Sequence, residues 1–218
     1  MSDTHNSYKE DLKTLRGNLT QMLPADALEV FDNDASQLQA SQQSILKLQT
    51  GDTAPDFSLS NAANETVRLY DLLEESRVIL VFYRGTWCPY CNLQLSHYRQ
   101  HMDNFTKHNA QLVAVSPQTP DESMNIKEKN ELDFHVLSDN GNMVARNFTQ
   151  VFKNADQPID TMTNLGFDFD SHYADDSREI PVPAVFIIDQ DHKVTFAAST
   201  GGDYRNRVEA TDIINSLK

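Results

Sequence analysis

Residues 78–91 read VILVFYRGTWCPYC, and this stretch decides the fold. Residues 78–83 are apolar or aromatic throughout, which is typical of a strand buried inside a sheet. Cys88 and Cys91 follow, and apolar residues then recur at helical spacing to about His108. The sequence therefore predicts that both sulfurs lie where a buried strand passes into a helix.

This position favours thiolate chemistry. The first N–H groups of a helix have no partner within the helix and carry partial positive charge, so they lower a cysteine pKa from about 8.5 to between roughly 3.5 and 7.5. A second thiol three positions along the chain can attack a mixed disulfide formed by the first. We therefore predict that Cys88 is the attacking cysteine and that Cys91 resolves the intermediate.

The chain around this junction alternates short apolar runs with helical patterns from Gly51 onward, which indicates βαβ units around a covered sheet. The predicted strands are Phe57–Leu59, Val67–Leu69, Val78–Tyr83, Leu112–Ser116, Phe134–Leu137, Val185–Ile188 and Val194–Ala198. Helices are predicted over about residues 91–108 and from about Asp121, Asn142 and Asn206 onward. Residues 154–179 lack periodicity and are predicted to form a surface excursion with partial helix. We expect one α/β domain over residues 51–218.

Residues 1–50 have a different pattern and are predicted to form an N-terminal helical extension. Two sets of apolar residues recur at near-heptad spacing, Tyr8, Leu12, Leu15, Leu19 and Met22 in the first and Leu28, Phe31, Ala35, Leu38 and Ile45 in the second. Pro24 ends the first helix and opens the second. The pattern does not distinguish packing on the chain's own domain from formation of a homodimer.

Composition excludes several classes of function. A formal net charge of −14 without a basic patch argues against nucleic-acid and membrane partners. Two cysteines are too few for a secreted disulfide framework, and no second ligand pair accompanies them, so we expect neither a metal site nor a cofactor. A polar N-terminus and the lack of a long apolar run predict a cytoplasmic protein.

Two resemblances extend this interpretation. The segment Trp87-Cys88-Pro89-Tyr90-Cys91 resembles the thioredoxin and glutaredoxin active-site motif. The segment Ile180–Phe186 resembles the one that carries the cis-proline facing the dithiol in thioredoxin-fold enzymes. That resemblance implies a cis bond between Val182 and Pro183 that leaves backbone groups free to pair with an extended substrate.

The wider chain from Gly51 resembles the AhpC/TSA peroxiredoxin-like family. The matching segments are Ala54-Pro55-Asp56-Phe57, Val81-Phe82-Tyr83, Val115-Ser116-Pro117, Leu137-Ser138-Asp139 and Phe186-Ile187-Ile188-Asp189. The resemblance implies a thioredoxin-like fold with a peroxiredoxin-type central sheet flanked by helices. Peroxiredoxins carry Pro-x-x-x-Thr-x-x-Cys where this chain has Arg84 to Cys91, so Cys88 stands in the place of the threonine. Pro183 stands in the place of the arginine that holds peroxide and thiolate.

Several neighbours of the dithiol are candidate substrate-binding or supporting residues. Arg84 either stabilises a thiolate or polarises peroxide, or it faces solvent. Trp87 and Tyr90 either shape a shallow apolar surface for the substrate or merely pack beside the motif. The remaining candidates are Thr86, Pro89, Val182 and Pro183.

The sequence is compatible with three functions. The leading one is a thiol-disulfide oxidoreductase in which a Cys88/Cys91 dithiol is reset by a thioredoxin or glutathione-type reductant. The alternative is a peroxiredoxin-type thiol peroxidase that reduces hydrogen peroxide or organic hydroperoxides, with one cysteine forming a sulfenic acid that condenses with the other. The third is a non-catalytic redox-sensing module that switches a contact made through the N-terminal helices.

Overall fold

The structure is a computed structural model that describes residues 6–42, 45–120 and 133–218. Its helices are α1 (Tyr8–Met22), α2 (Ala25–Ser41), α3 (Leu69–Glu75), α4 (Pro89–Gln100), α5 (Met102–Lys107), α6 (Ala145–Phe148), α7 (Asp156–Asn164) and α8 (Ala210–Leu217). Its strands are β1 (Ser58–Asn61), β2 (Thr66–Arg68), β3 (Arg77–Phe82), β4 (Ala110–Ser116), β5 (His135–Ser138), β6 (Val151–Lys153), β7 (Glu179–Pro181), β8 (Ala184–Ile188) and β9 (Val194–Ala198). Within these ranges, no helix is long and apolar enough to cross a membrane.

A seven-stranded mixed sheet lies at the centre, in the order β2-β1-β5-β4-β3-β8-β9. Strand β3 pairs in parallel with β4 and antiparallel with β8, so that Val81 lies beside both Ala114 and Val185. Because side chains alternate across a strand, Ile79 and Val81 face one apolar core and Val78 and Leu80 face the other. This buried middle strand places the chain that follows it, with both cysteines, above the centre of the sheet.

All seven predicted strands are present, with bounds that differ by two residues or less, and the predicted α/β thioredoxin-like fold is confirmed. The helix predicted over 91–108 is in fact two, because His101 leaves helical geometry at φ −107° and ψ 8° between α4 and α5. The helix predicted from Asp121 lies outside the described residues. The helices predicted from Asn142 and Asn206 begin later, at Ala145 and Ala210.

The predicted surface excursion over 154–179 is more ordered than its sequence indicates. It includes helix α7, and its apolar residues Ile159 and Phe169 are buried together with Ile180. Strands β6 and β7, both of which the sequence analysis missed, pair with each other in a separate two-stranded sheet. Strands this short carry too little periodicity to be predicted. The excursion is therefore a packed cover over one end of the domain.

The N-terminal hairpin of α1 and α2 packs on the rest of its own chain. Tyr8 is only 2% exposed, and its hydroxyl donates to the Arg205 carbonyl at 2.7 Å. His97 of α4 lies 2.9 Å from the Asp11 carboxylate. Most of the apolar face predicted for these helices is thus covered by the same chain, although Met22 is exposed, and a homodimer through the helices stays a prediction.

The segment between β9 and α8 runs beneath this hairpin. The Tyr204 hydroxyl donates to the Phe31 carbonyl at 2.7 Å, and Arg205 pairs with Asp32 at 2.9 Å. A Cβ atom on Gly202 would lie 2.2 Å from the Leu38 carbonyl oxygen, so only glycine allows this approach. These contacts hold the segment against the domain and thereby position Arg207, which follows in the same segment.

Candidate active site

The two cysteines occupy the first turn of α4. Cys88 is the N-cap residue and Pro89 the first helical residue, where its missing N–H costs no hydrogen bond. The Cys91 and Asn92 amides donate to the Cys88 carbonyl at 3.0 and 3.1 Å. The two cysteines are not joined in a disulfide, and their exposed fractions are 1% for Cys88 and 0% for Cys91. The predicted strand-to-helix junction is present, and its sulfurs are buried.

Arg207, which the sequence analysis did not single out, reaches both sulfurs from the C-terminal segment. Its Nη2 atom lies 3.2 Å from Cys91 Sγ and 3.9 Å from Cys88 Sγ. Its Nη1 atom donates to the backbone carbonyls of Tyr204 and Asn206, which fix the guanidinium in place. Burial alone lowers the pKa of Arg207, but the two cysteines outweigh it and raise this pKa, so the side chain stays charged.

The pKa values of the two thiols move in opposite directions. Burial raises the pKa of Cys91, but the hydrogen bond from the Cys88 thiol and the charge of Arg207 outweigh burial and lower it well below its usual value. Burial, followed by the hydrogen bond to Cys91, raises the pKa of Cys88 well above its usual value. These two directions favour a Cys88 thiol that donates to a Cys91 thiolate. Sequence reasoning placed the thiolate at Cys88 because it considered the helix terminus and not Arg207.

Arg84 is the second cation of the site. It is 4% exposed, and its guanidinium lies over two aromatic rings, 3.8 Å from the centre of Tyr204 and 4.8 Å from that of Trp87. Its Nη2 atom lies 3.4 Å from Asn154 Oδ1. Its positive charge opposes the effect of burial on Cys88. The sequence left open whether Arg84 acts on the reacting groups or faces solvent. Its burial shows that it does not face solvent.

The loop before Cys88 is held by side chains from distant segments. The Thr86 amide donates to Gln118 Oε1 at 2.5 Å, and the Trp87 indole donates to the Tyr173 hydroxyl at 2.7 Å. That hydroxyl in turn donates to the Arg84 carbonyl at 3.1 Å. Thr86 and Trp87, both candidate supporting residues, thus fix the geometry of the loop that carries Cys88.

Gly85 makes this loop possible, and its replacement is expected to destabilise the protein. Its φ of +153° suits glycine, and an added Cβ would lie 2.6 Å from Trp87 Nε1. We expect Gly85→Ala to lower the free energy of unfolding by roughly 1–3 kcal/mol, measured by urea denaturation. Gly17→Ala at an exposed position of helix α1, where no atom lies within 4 Å of the added Cβ, is the control and should be neutral or stabilising. Equal effects of the two substitutions would contradict this role of Gly85.

The cis-proline expectation is wrong. The bond between Val182 and Pro183 is trans, as are all peptide bonds in the described ranges. The Val182 amide donates to the Gln150 carbonyl at 2.8 Å, and its carbonyl accepts from Thr149 Oγ1 at 2.9 Å. Because these groups are satisfied inside the protein, they do not pair with a substrate, and Val182 and Pro183 are both buried.

A cavity of about 350 Å³ adjoins Cys88. Among the predicted candidates, Arg84, Trp87, Pro89 and Tyr90 line it, whereas Cys91 does not. The Tyr90 hydroxyl accepts from Arg16 at 3.1 Å, which connects the site to the N-terminal hairpin. The apolar surface expected from Trp87 and Tyr90 is thus a recess rather than a shallow face.

Comparison with known proteins agrees with this arrangement. The AhpC/TSA family matches residues 50–197. The chain belongs to the AhpC/TSA family. Curated members that it resembles include Peroxiredoxin Bcp of Escherichia coli, 34% identical over 101 residues, and Peroxiredoxin Bcp of Bacillus subtilis, 29% identical over 103 residues. These matches cover 46% and 47% of this chain and 64% and 65% of the relatives, so the chain spans less than two thirds of their length.

Solved structures give the same picture of the AhpC/TSA domain. Peroxidoxin BcpB from Mycobacterium tuberculosis superposes with a TM-score of 0.61 at 25% identity, over 78% of this chain and 96% of that one. The yeast mitochondrial 1-Cys peroxiredoxin superposes with a TM-score of 0.55 at 18% identity, over 77% and 73% of the two chains, and shows the shared fold. Arg207 and the hairpin of α1 and α2 lie outside residues 50–197, the part matched by the family.

Proposed function

We propose that this protein is a thiol peroxidase in which Cys91 attacks the peroxide and Cys88 resolves. The main support for this proposal is the contact of 3.2 Å between the Arg207 guanidinium and Cys91 Sγ, next to the thiol of Cys88. Arg207 supplies the charge that peroxiredoxins obtain from an arginine at the position of Pro183 here. Membership of the AhpC/TSA family supports the same activity. In the sequence resemblance to that family, Cys91 stands in the place of the attacking cysteine.

The first step oxidises Cys91. Its thiolate attacks one oxygen of a hydroperoxide, so that an S–O bond forms, the O–O bond breaks and sulfur loses two electrons to the peroxide. Cys91 becomes a sulfenic acid, and the leaving alkoxide takes the proton of the Cys88 thiol. Arg207 and Arg84 stabilise the negative charge as it moves from sulfur to oxygen, and burial strengthens this effect.

The second step closes the disulfide. Cys88, now a thiolate, attacks the sulfur of the Cys91 sulfenic acid, so that the S–S bond forms and hydroxide leaves, to be protonated to water. A thioredoxin or glutathione-type reductant then supplies two electrons and two protons and restores both thiols. The net reaction converts a hydroperoxide and a reduced thiol donor into an alcohol, water and an oxidised donor.

A second candidate is thiol-disulfide exchange started by Cys88. The observation that favours it is the position of Cys88 in the wall of the cavity, where a substrate disulfide would meet this sulfur before Cys91. Attack by Cys88 requires its proton to move to Cys91 first. Because the pKa of Cys88 is raised and that of Cys91 is lowered, this transfer is unfavourable in the resting pair.

A direct comparison of the two reactions tests the proposal. Purified protein is supplied with thioredoxin, its reductase and reduced nicotinamide cofactor, and turnover is measured with hydrogen peroxide and, separately, with insulin disulfides. We expect peroxide consumption well above that of a double variant, Cys88→Ser with Cys91→Ser, and little insulin reduction. Rapid insulin reduction without peroxide loss would establish the second candidate instead.

A further inference from the structure

The cavity beside Cys88 is built in part by the N-terminal hairpin. Helix α1 and its C-cap supply Leu19 and Leu23, and α2 supplies Leu28 and Phe31. Helix α7 and the chain after it form another part of the wall, with Pro158, Met162, Leu165 and Phe167. The hairpin lies outside the segment matched by the AhpC/TSA family, so this recess is not a feature of the family domain alone.

The lining of the cavity is mainly apolar and includes three charged side chains, Arg16, Asp34 and Arg84, of which Arg16 is paired with Asp32. Arg84 lines it, and the Arg84 Nε atom has no hydrogen-bond partner among the residues that the structure describes. Asp34 also lines it, and burial raises the pKa of its carboxyl group. The remaining wall offers aliphatic and aromatic carbon, which binds apolar groups by removing them from water.

The size and charge of the recess restrict its occupant. A volume of about 350 Å³ falls at the small-molecule end of ligand pockets and is far larger than hydrogen peroxide requires. The net charge of −14 disfavours anionic compounds. A neutral molecule with an apolar body and one polar end fits both the carbon-lined wall and the cationic Arg84 beside Cys88.

We propose that the N-terminal hairpin is the specificity-determining element of this site, because it closes a pocket beside Cys88 that selects, among hydroperoxides, neutral ones with a bulky apolar substituent. The proposal rests on the peroxidase function above. The apolar body lies between α2 and α7, and the hydroperoxide group passes Cys88 to reach Cys91. The alkoxide that leaves then lies next to the Cys88 thiol, which is the group that protonates it.

The proposal is tested by a substitution in the hairpin that reduces the volume of the cavity. Leu28→Phe enlarges a half-buried lining residue of α2, and Met22→Phe is the matched control, because Met22 is 77% exposed on α1 and does not line the cavity. In the full chain, kcat/KM is measured for cumene hydroperoxide and for hydrogen peroxide. We expect Leu28→Phe to lower the ratio of kcat/KM for cumene hydroperoxide to kcat/KM for hydrogen peroxide about tenfold. Met22→Phe should leave this ratio unchanged. An unchanged ratio in Leu28→Phe would overturn the proposal.

Binding of the product separates this proposal from the peroxidase function. Trp87 is the single tryptophan and lines the cavity, so its fluorescence reports on occupancy. We expect 2-phenylpropan-2-ol, the alcohol formed from cumene hydroperoxide, to change this fluorescence saturably, and to bind about tenfold more weakly to Leu28→Phe. Binding without any peroxide turnover would refute the peroxidase function but keep the pocket. Turnover without binding would refute the pocket alone.

Discussion

Replacing Arg207 with methionine is expected to lower kcat/KM for hydrogen peroxide about a hundredfold, as when one charge-stabilising donor is removed from an active site. The guanidinium is 3.2 Å from Cys91 Sγ, and methionine keeps most of its volume without its charge or its donors. In the variant, burial is no longer opposed by this cation, so the pKa of Cys91 rises. Less thiolate is then present at neutral pH, and the developing alkoxide loses a donor.

The pH profile identifies the cause of this loss. Because the pKa of Cys91 is lowered well below its usual value, the wild-type rate of reaction with iodoacetamide should fall only at a lower pH than the rate of an ordinary cysteine does. In Arg207→Met the raised pKa makes that rate climb as pH increases through neutral and alkaline values. Arg207→Lys restores the charge and should recover part of the rate and of the pH profile. A profile that is the same in all three proteins would mean that Arg207 only supports the fold.

The sequence predicted the junction that holds the cysteines because every signal for it is local. An apolar run, a Cys-x-x-Cys motif with proline after its first cysteine and a helical repeat adjoin within residues 78–108, and the structure places β3, Cys88 and α4 in that order. Each signal reflects a short-range constraint, either the burial of a middle strand or the geometry of a helix start.

Arg207 was not predictable in the same way, because 116 residues separate it from Cys91 and no spacing connects them. The hairpin was predicted as helical, but its periodicity could not say that Asp11 would meet His97 of the same chain. The error at Pro183 has a similar origin. A motif fixes the position of a proline but not the isomer of its peptide bond, and here Thr149 and Gln150 occupy the backbone groups of Val182.

Exchanging the two cysteines for serine one at a time is expected to separate their roles, with the largest effect in Cys91→Ser. If Cys91 is the nucleophile, its loss should lower peroxide turnover at least about a thousandfold, as in other enzymes that lose a covalent nucleophile. Cys88→Ser should still reduce one equivalent of peroxide per chain, because the Cys91 thiolate remains beside Arg207. Without an external thiol the reaction should then stop, since no second thiol is left in the chain to attack the sulfenic acid.

The sulfenic acid distinguishes the two assignments. After one equivalent of peroxide, Cys88→Ser should carry a modification by a sulfenic-acid probe on Cys91, detected by mass spectrometry, while the wild type forms the disulfide and stays unlabelled. The opposite outcome, a labelled Cys88 in Cys91→Ser with full first-turnover reduction, would restore the assignment predicted from the helix terminus alone. It would also mean that Arg207, 3.9 Å from Cys88 Sγ, can activate that sulfur once Cys91 no longer competes for it. We expect the first outcome because the shorter contact and the hydrogen bond from Cys88 both stabilise the thiolate at Cys91.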